Sequence, residues 1–124
     1  MMLSILPGSF AVCRLSPDNE VPGWVWESKT FLSITYTEDE LSIVCQSSLV
    51  PSHIHSETGW AAIKVQGPLD FSLTGVLAAL SSLLAAGGVS IFAISTFDTD
   101  YMLVKERDIL QAKMILEGDG HSFE

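Results

Sequence analysis

The chain has 124 residues, 48% of them apolar, with 15 acidic and 6 basic side chains for a formal charge of −9. That apolar fraction is ample for a buried core and excludes a disordered chain. The six basic residues are scattered singly, so the acidic balance excludes recognition of nucleic-acid phosphates and attraction to anionic membrane surfaces.

Met2–Leu6 and Phe10–Leu15 are apolar runs either side of Pro7-Gly8-Ser9 and predict two strands around a turn. Met1-Met2-Leu3 lacks the basic start of a secretory leader, and Pro7-Gly8 interrupts the apolar stretch, so a cytoplasmic chain is expected. Ser16 to Gly23, with its Pro, Asp and Asn residues, is a loop. Trp24 and Trp26 fall on one face if the segment is extended, where they would serve packing. Phe31–Thr37 and Leu41–Gln46 read as strands around Glu38-Asp39-Glu40. Cys13 and Cys45 sit inside such runs and are expected as buried free thiols. Ser47 to Thr58 reads as a loop or short helix followed by a linker. His53 and His55 within it have no Cys cluster beside them, so no metal site is expected.

Trp60–Gln66 alternates, with Ala61, Ile63 and Val65 on the buried face, and Gly67-Pro68 ends the strand. Leu73, Val76, Leu77, Leu80, Leu83 and Leu84 then recur at helical spacing. Asp70 or Ser72 can cap that helix, and Gly87 or Gly88 can supply the left-handed residue at its end. Gly75 inside the helix costs about 1 kcal/mol against Ala, which points to close approach by a neighbour or ligand. The other face, Ala78, Ala79, Ser81, Ser82 and Ala85, is small and uncharged, so it too is expected to pack, on a second domain or subunit. Phe71 to Ile94 carries no charge and is long enough to span a bilayer. Gly87-Gly88 divides it and five hydroxyl residues dilute it, which predicts a helix and a buried strand of a soluble core instead.

Val89–Thr96 is apolar on both alternating sets, as expected of a central strand covered on both sides. Tyr101–Lys105 pairs with it across the tip Ser95 to Tyr101, where hydroxyls, carboxylates and aromatics crowd together. Asp108 and Gln111 form a capping box for a second helix running to about Leu116. From Trp60 the order is strand, helix, strand, strand, helix. It predicts an α+β fold of the ferredoxin-like βαββαβ type, with antiparallel strands and helices on one face. His121–Glu124 is too short to trust as the last strand, and an N-terminal strand is left to fill that edge.

Displaced by 60 residues, the pattern recurs: Phe31–Thr37 falls on Ile91–Phe97, Glu38-Asp39-Glu40 on Asp98-Thr99-Asp100, and Leu41–Val44 on Tyr101–Val104. Tandem units are therefore expected: a degenerate one over residues 1–58, with a loop where the helix should be, and a complete one over 59–124.

The stretch Gly67-Pro68-Leu69-Asp70-Phe71-Ser72-Leu73 and the hairpin Ser95-Thr96-Phe97-Asp98-Thr99-Asp100 resemble the ACT-domain family. Within it, they are most similar to small bacterial two-ACT proteins related to the CASTOR-type arginine sensors. The resemblance implies a non-catalytic sensor that binds an amino acid at an interface between paired ACT domains and regulates another protein. It implies hairpin contacts from Thr96, Phe97 and Asp100, and further contacts from Leu69, Asp70, Phe71, Gly75 and Val76. Those sensors have four ACT-like units where this chain has two, so a complete site implies a homodimer.

Amino-acid chemistry suits these residues. Unpaired N–H groups at a helix start favour a carboxylate. Asp70 or Asp100 can take an ammonium by a charge-assisted hydrogen bond, and Phe97 can cover a guanidinium or an apolar side chain. No Ser-His-Asp grouping, Walker loop or dinucleotide fingerprint occurs, so neither catalysis nor a cofactor is expected. The competing reading is a protein–protein interaction module that uses the same faces without a ligand.

Overall fold

The computed structural model describes residues 1–66 and 75–124. Among them the strands are β1 (Met2–Ile5), β2 (Phe10–Leu15), β3 (Ser33–Tyr36), β4 (Leu41–Gln46), β5 (Ser56–Val65), β6 (Ile91–Ser95), β7 (Asp100–Lys105) and β8 (Ser122–Phe123). Helix α1 (Val76–Ala86) precedes β6 and α2 (Ile109–Gly118) precedes β8, with 3-10 turns at Gly23–Glu27, Ser47–Leu49 and Glu106–Asp108. Residue proximity separates two units: Pro7–Trp60, and Met1–Leu6 with Ala61–Glu124.

In the unit Pro7–Trp60, β2 is central. It pairs antiparallel with β4, from Phe10↔Gln46 to Leu15↔Leu41, and on its other side with the first half of β5. β3 lies beyond β4. Alternation puts Ala11, Cys13, Leu15, Leu41, Ile43 and Cys45 on one face, where Val25 closes the cluster. Both cysteines are buried free thiols, as their setting in apolar runs predicts. They share a side-chain hydrogen bond, which pushes the Cys45 thiol well above its ordinary value, with burial adding to it, and lowers that of Cys13 against the opposing effect of burial. Trp24 and Trp26 do not share a face. Their segment is a 3-10 turn, whose three-residue period separates positions two apart, so Trp24 packs on the cluster while Trp26 is 60% exposed. No α-helix occurs among the described residues of this unit; 3-10 turns stand between its strands where helices would complete the ferredoxin-like pattern.

In the second unit the order is β6-β7-β5-β1-β8. β1 lies antiparallel on β5, with Leu3↔Val65, Ser4↔Lys64 and Ile5↔Ile63. An N-terminal strand does fill the edge, and the short β8 adds to it in parallel. Both helices pack on one core of Leu3, Ile63, Val65, Leu80, Leu84, Val89, Met102, Val104, Ala112 and Leu116. Burying such side chains contributes about 1.5–3 kcal/mol each for the larger aliphatics.

Several expectations are corrected. Trp60, Ala61, Ala62 and Ile63 are all buried, because consecutive alanines present too little side chain to distinguish the two faces. β6 is not a central strand covered on both sides: among the described residues it pairs with β7 alone, none of its five residues is buried, and Ala93 and Ser95 are exposed. Gly75 precedes α1 rather than interrupting it, with a left-handed φ of 80°. The cap candidates Asp70 and Ser72, and Leu73, lie outside the described residues. At the other end Gly88 supplies the left-handed residue, at φ 80°, and the Val89 N–H donates to the Leu84 carbonyl at 2.9 Å. The capping box of α2 does not form. Asp108 ends a 3-10 turn with ψ near 0°, not the extended backbone that an N-cap needs, and Gln111 Nε2 instead donates to the Gly87 carbonyl at 2.9 Å.

The hairpins β3–β4 and β6–β7 are built alike. The Thr37 N–H donates to the Glu40 carbonyl at 2.9 Å, and the Thr96 N–H to the Thr99 carbonyl at 2.8 Å. Each threonine hydroxyl also accepts from the N–H three residues on, from Glu40 at 3.1 Å and from Thr99 at 3.3 Å. Thr37 is therefore the counterpart of Thr96, and the true displacement is 59 residues, not 60; the resemblance of the acidic residues sets the register one position off. Thr99 is 6% exposed and its hydroxyl donates to the Val65 carbonyl, which ties the hairpin to the end of β5.

Two substitutions test these supports in chemical denaturation. Gly88→Ala meets no atom within 4 Å but must hold a left-handed backbone, so it is expected to cost about 1–2 kcal/mol. Thr99→Val leaves the Val65 carbonyl without its donor and is expected to cost about 1–3 kcal/mol. An unchanged midpoint in either variant contradicts the corresponding support.

Candidate functional site

The β6–β7 ladder runs in unbroken register from Ile91↔Val104 to Ser95↔Asp100, so the tip is a four-residue turn, Thr96 to Thr99. Thr96 closes it through backbone and side chain, its hydroxyl donating to the Thr99 carbonyl at 3.2 Å. Ser95 Oγ donates to Asp100 Oδ1 at 2.5 Å across the last pair, which fixes the carboxylate on the strand side of the tip. Phe97 stands at the apex with 79% of its surface exposed.

Thr96, Phe97 and Asp100 are thus gathered on one rigid hairpin. Gly75 and Val76 mark the start of α1. Gly75 is exposed, and Val76 packs against the core of the second unit. Gly75, at the N-cap, offers no capping side chain. Leu69, Asp70 and Phe71 lie outside the described residues. The Thr99–Val65 bond sets the hairpin beside the end of β5, from which residues 67–74 lead to Gly75. Sequence reasoning missed this anchor and the Ser95–Asp100 pair. The hydroxyl three residues before a turn's end, present at both Thr37 and Thr96, was the available signal.

Two further concavities are present. A groove of about 570 Å³ runs along α1 and the start of β6, lined by Ser81, Ser82, Ala85, Gly88, Val89, Ser90 and Ile91. A smaller one, about 190 Å³, lies in the unit Pro7–Trp60 and is lined by Arg14, Glu40, Ser42, His55 and Glu57 among others. There Arg14 Nη2 donates to the Asp39 carbonyl at 3.1 Å, so its guanidinium is engaged with the β3–β4 turn. Among the described residues, no group of three or more His, Cys, Asp or Glu is arranged to hold a metal, and no helix is long and apolar enough to cross a membrane.

Comparison with known proteins gives the fold its family. The ACT-domain family model matches residues 55–118, and a separate N-terminal-domain model matches residues 8–53. The human protein named cytosolic arginine sensor for mTORC1 subunit 1 is 34% identical over 90 residues, 66% of this chain. The match covers 27% of that relative, so the chain spans about a quarter of the curated relatives' length. A crystal structure of a protein from Agrobacterium tumefaciens superposes with a TM-score of 0.92 at 40% identity, covering 99% of this chain and 91% of that one. The regulatory subunit of aspartate kinase from Thermus thermophilus superposes with a TM-score of 0.62 at 13% identity, covering 93% and 94%, a likeness of fold alone. The family match spans the strand–helix–strand–strand–helix order described above, and the chain belongs to the ACT-domain family.

Proposed function

We propose that this chain is a non-catalytic, cytoplasmic regulatory protein that binds an amino acid at an ACT–ACT interface, as a homodimer, and acts on another protein. The observation that carries this is the anchored hairpin. Thr99 holds the tip at the end of β5, the strand that α1 follows in the chain, and Thr96, Phe97 and Asp100 stand together on that tip.

The chemistry follows from what each group offers. The first N–H groups of α1, with the helix dipole behind them, suit the ligand's α-carboxylate. Backbone at Leu69 and Phe71 would add to that cradle. Asp100, already oriented by Ser95, takes the α-ammonium through a charge-assisted hydrogen bond. Asp70 would take a second positive charge if the ligand carries one. Phe97 lies over the ligand side chain, where an aromatic face suits a guanidinium or an apolar chain. Gly75 and Val76 shape the helix side, the former through a backbone with no Cβ. The relatives' names point the same way: one is called an arginine sensor and another the regulatory subunit of an aspartate kinase. Arginine is therefore the first ligand to try, without being required by the residues.

A second reading rests on a different surface. Leu110 and Met114, one helical turn apart on α2, are 75% and 72% exposed, which favours a protein-docking role that needs no ligand.

Calorimetric titration of the whole chain with each of the twenty amino acids separates the two. Saturable binding by at least one is expected, and Asp100→Ala is expected to weaken it at least tenfold with the melting transition retained, about 1.5–3 kcal/mol for a hydrogen bond to a charged group. No binding by any amino acid contradicts the sensor reading. Unchanged affinity in the variant removes Asp100 from the site.

A further inference from the structure

Cys13 and Cys45 are the two cysteines of the chain, and the fold sets them side by side. In the β2–β4 ladder Cys13 stands opposite Ile43, and Cys45 opposite Ala11. Ile43 and Cys45 are two residues apart on β4, so the thiols share one face as diagonal neighbours. That face is the core of the unit Pro7–Trp60, where both lie in one cluster with Leu15, Val25 and Leu41. Neither thiol takes part in the hairpin site.

Two features set the pair apart from ordinary core filling. First, the shared hydrogen bond makes the thiols unlike: it lowers the pKa of Cys13 and raises that of Cys45. The thiolate is the nucleophilic form of a cysteine, so Cys13 is the nucleophile of the pair and Cys45 keeps its proton. Second, Cys13 is among the residues lining the concavity of about 190 Å³, beside Arg14, Ser42, His55 and Glu57. A space of that size and polarity admits a molecule little larger than water. A bulky disulfide such as oxidised glutathione is too large to reach a thiol buried in the core behind it.

We propose that Cys13 and Cys45 are a reversible dithiol switch, oxidised by hydrogen peroxide to a disulfide within the chain. The Cys13 thiolate attacks one peroxide oxygen and the O–O bond breaks. The hydroxide that leaves takes up the proton Cys13 has given to solvent, and Cys13 becomes a sulfenic acid. Cys45 then attacks the Cys13 sulfur; the S–S bond forms, the S–O bond breaks, and the hydroxyl leaves with the Cys45 proton as water. In sum, two thiols lose two hydrogens and one peroxide becomes two waters. The diagonal placement makes the change reversible. Diagonal neighbours have Cα atoms about 7–8 Å apart, whereas a relaxed disulfide spans about 4.4–6.8 Å. The bond therefore draws β2 and β4 together, and a strained disulfide is readily reduced, as regulatory disulfides are and structural ones are not. Arg14, next to Cys13 on β2, moves with the strand, and its guanidinium holds the Asp39 carbonyl of the β3–β4 turn at 3.1 Å.

The test treats the reduced whole chain with hydrogen peroxide, without any amino acid, so it is independent of the titration. Free thiols are blocked by alkylation and the chain is mapped by tryptic digestion and mass spectrometry. The peptide ending at Arg14 is expected to be joined to the one ending at Lys64, and dithiothreitol is expected to separate them. Cys45→Ala is expected to stop at the Cys13 sulfenic acid, trapped by dimedone. In Cys13→Ala, Cys45 is expected to react about tenfold more slowly than Cys13 does in the wild type, since it lacks thiolate character. The proposal is overturned if both thiols stay free at a peroxide dose that joins them in urea, if the disulfide links two chains, or if Cys45 in Cys13→Ala reacts as fast as the wild-type pair. If either variant fails to fold, the peptide map of the native wild type decides alone: joined peptides uphold the switch, and free thiols overturn it.

Discussion

The buried hydroxyl of Thr99, donating to the Val65 carbonyl, is the constraint on which the candidate site depends. A four-residue β-turn is by itself a mobile tip, since it has no packed core of its own. Here the last turn residue, directly before β7, is turned inward and hydrogen-bonded to the end of β5, the strand that flanks β7 on the side away from β6. The remaining turn groups are held locally by Thr96 and by the Ser95–Asp100 pair. Rigid support beneath exposed polar and aromatic groups is what a binding loop requires, because less ordering entropy is then lost when a ligand arrives.

The same hairpin chemistry occurs twice, and the difference between its copies is informative. At Thr37–Glu40 the turn is closed by the same threonine bonds, but its apex holds Glu38 where the other holds Phe97. Leu41, fully buried, stands where the other has Asp100. The first copy thus keeps the scaffold and lacks both groups that would grip a ligand. Its unit also replaces helices with 3-10 turns, so it offers no helix start to receive a carboxylate. Fold and site chemistry are separable here: the threonine turn is retained for structure, and the residues at its apex and first strand position differ.

Much of this architecture was legible in the residues. Apolar runs bounded by turn residues located β2, β4 and β7, because each buries side chains in a core. The leucine spacing located α1, and Gly88 its end. What failed did so for identifiable reasons. The lateral place of β6 was hidden because an apolar run fixes neither the number of hydrogen-bonded neighbours nor the cover of its faces, and Ala93 and Ser95 are exposed. The role of Thr99 was hidden because a turn threonine and an anchoring threonine look alike until the neighbouring carbonyl is known. The capping box at Asp108 matched in spacing and failed in backbone geometry. Of the candidate site, pattern and resemblance named Thr96, Phe97 and Asp100, which share one hairpin tip, while Val76 is packed on the core.

The central claim is that an amino acid is held at the Thr96–Asp100 tip and the start of α1. Amide chemical-shift mapping on the isotope-labelled whole chain tests it most directly. On adding the amino acid that binds, the account predicts the largest shifts at Gly75, Thr96, Phe97 and Asp100, with the amides around Arg14, His55 and Glu57 unmoved. Shifts concentrated instead at the Arg14 concavity, with the hairpin tip unchanged, would contradict it.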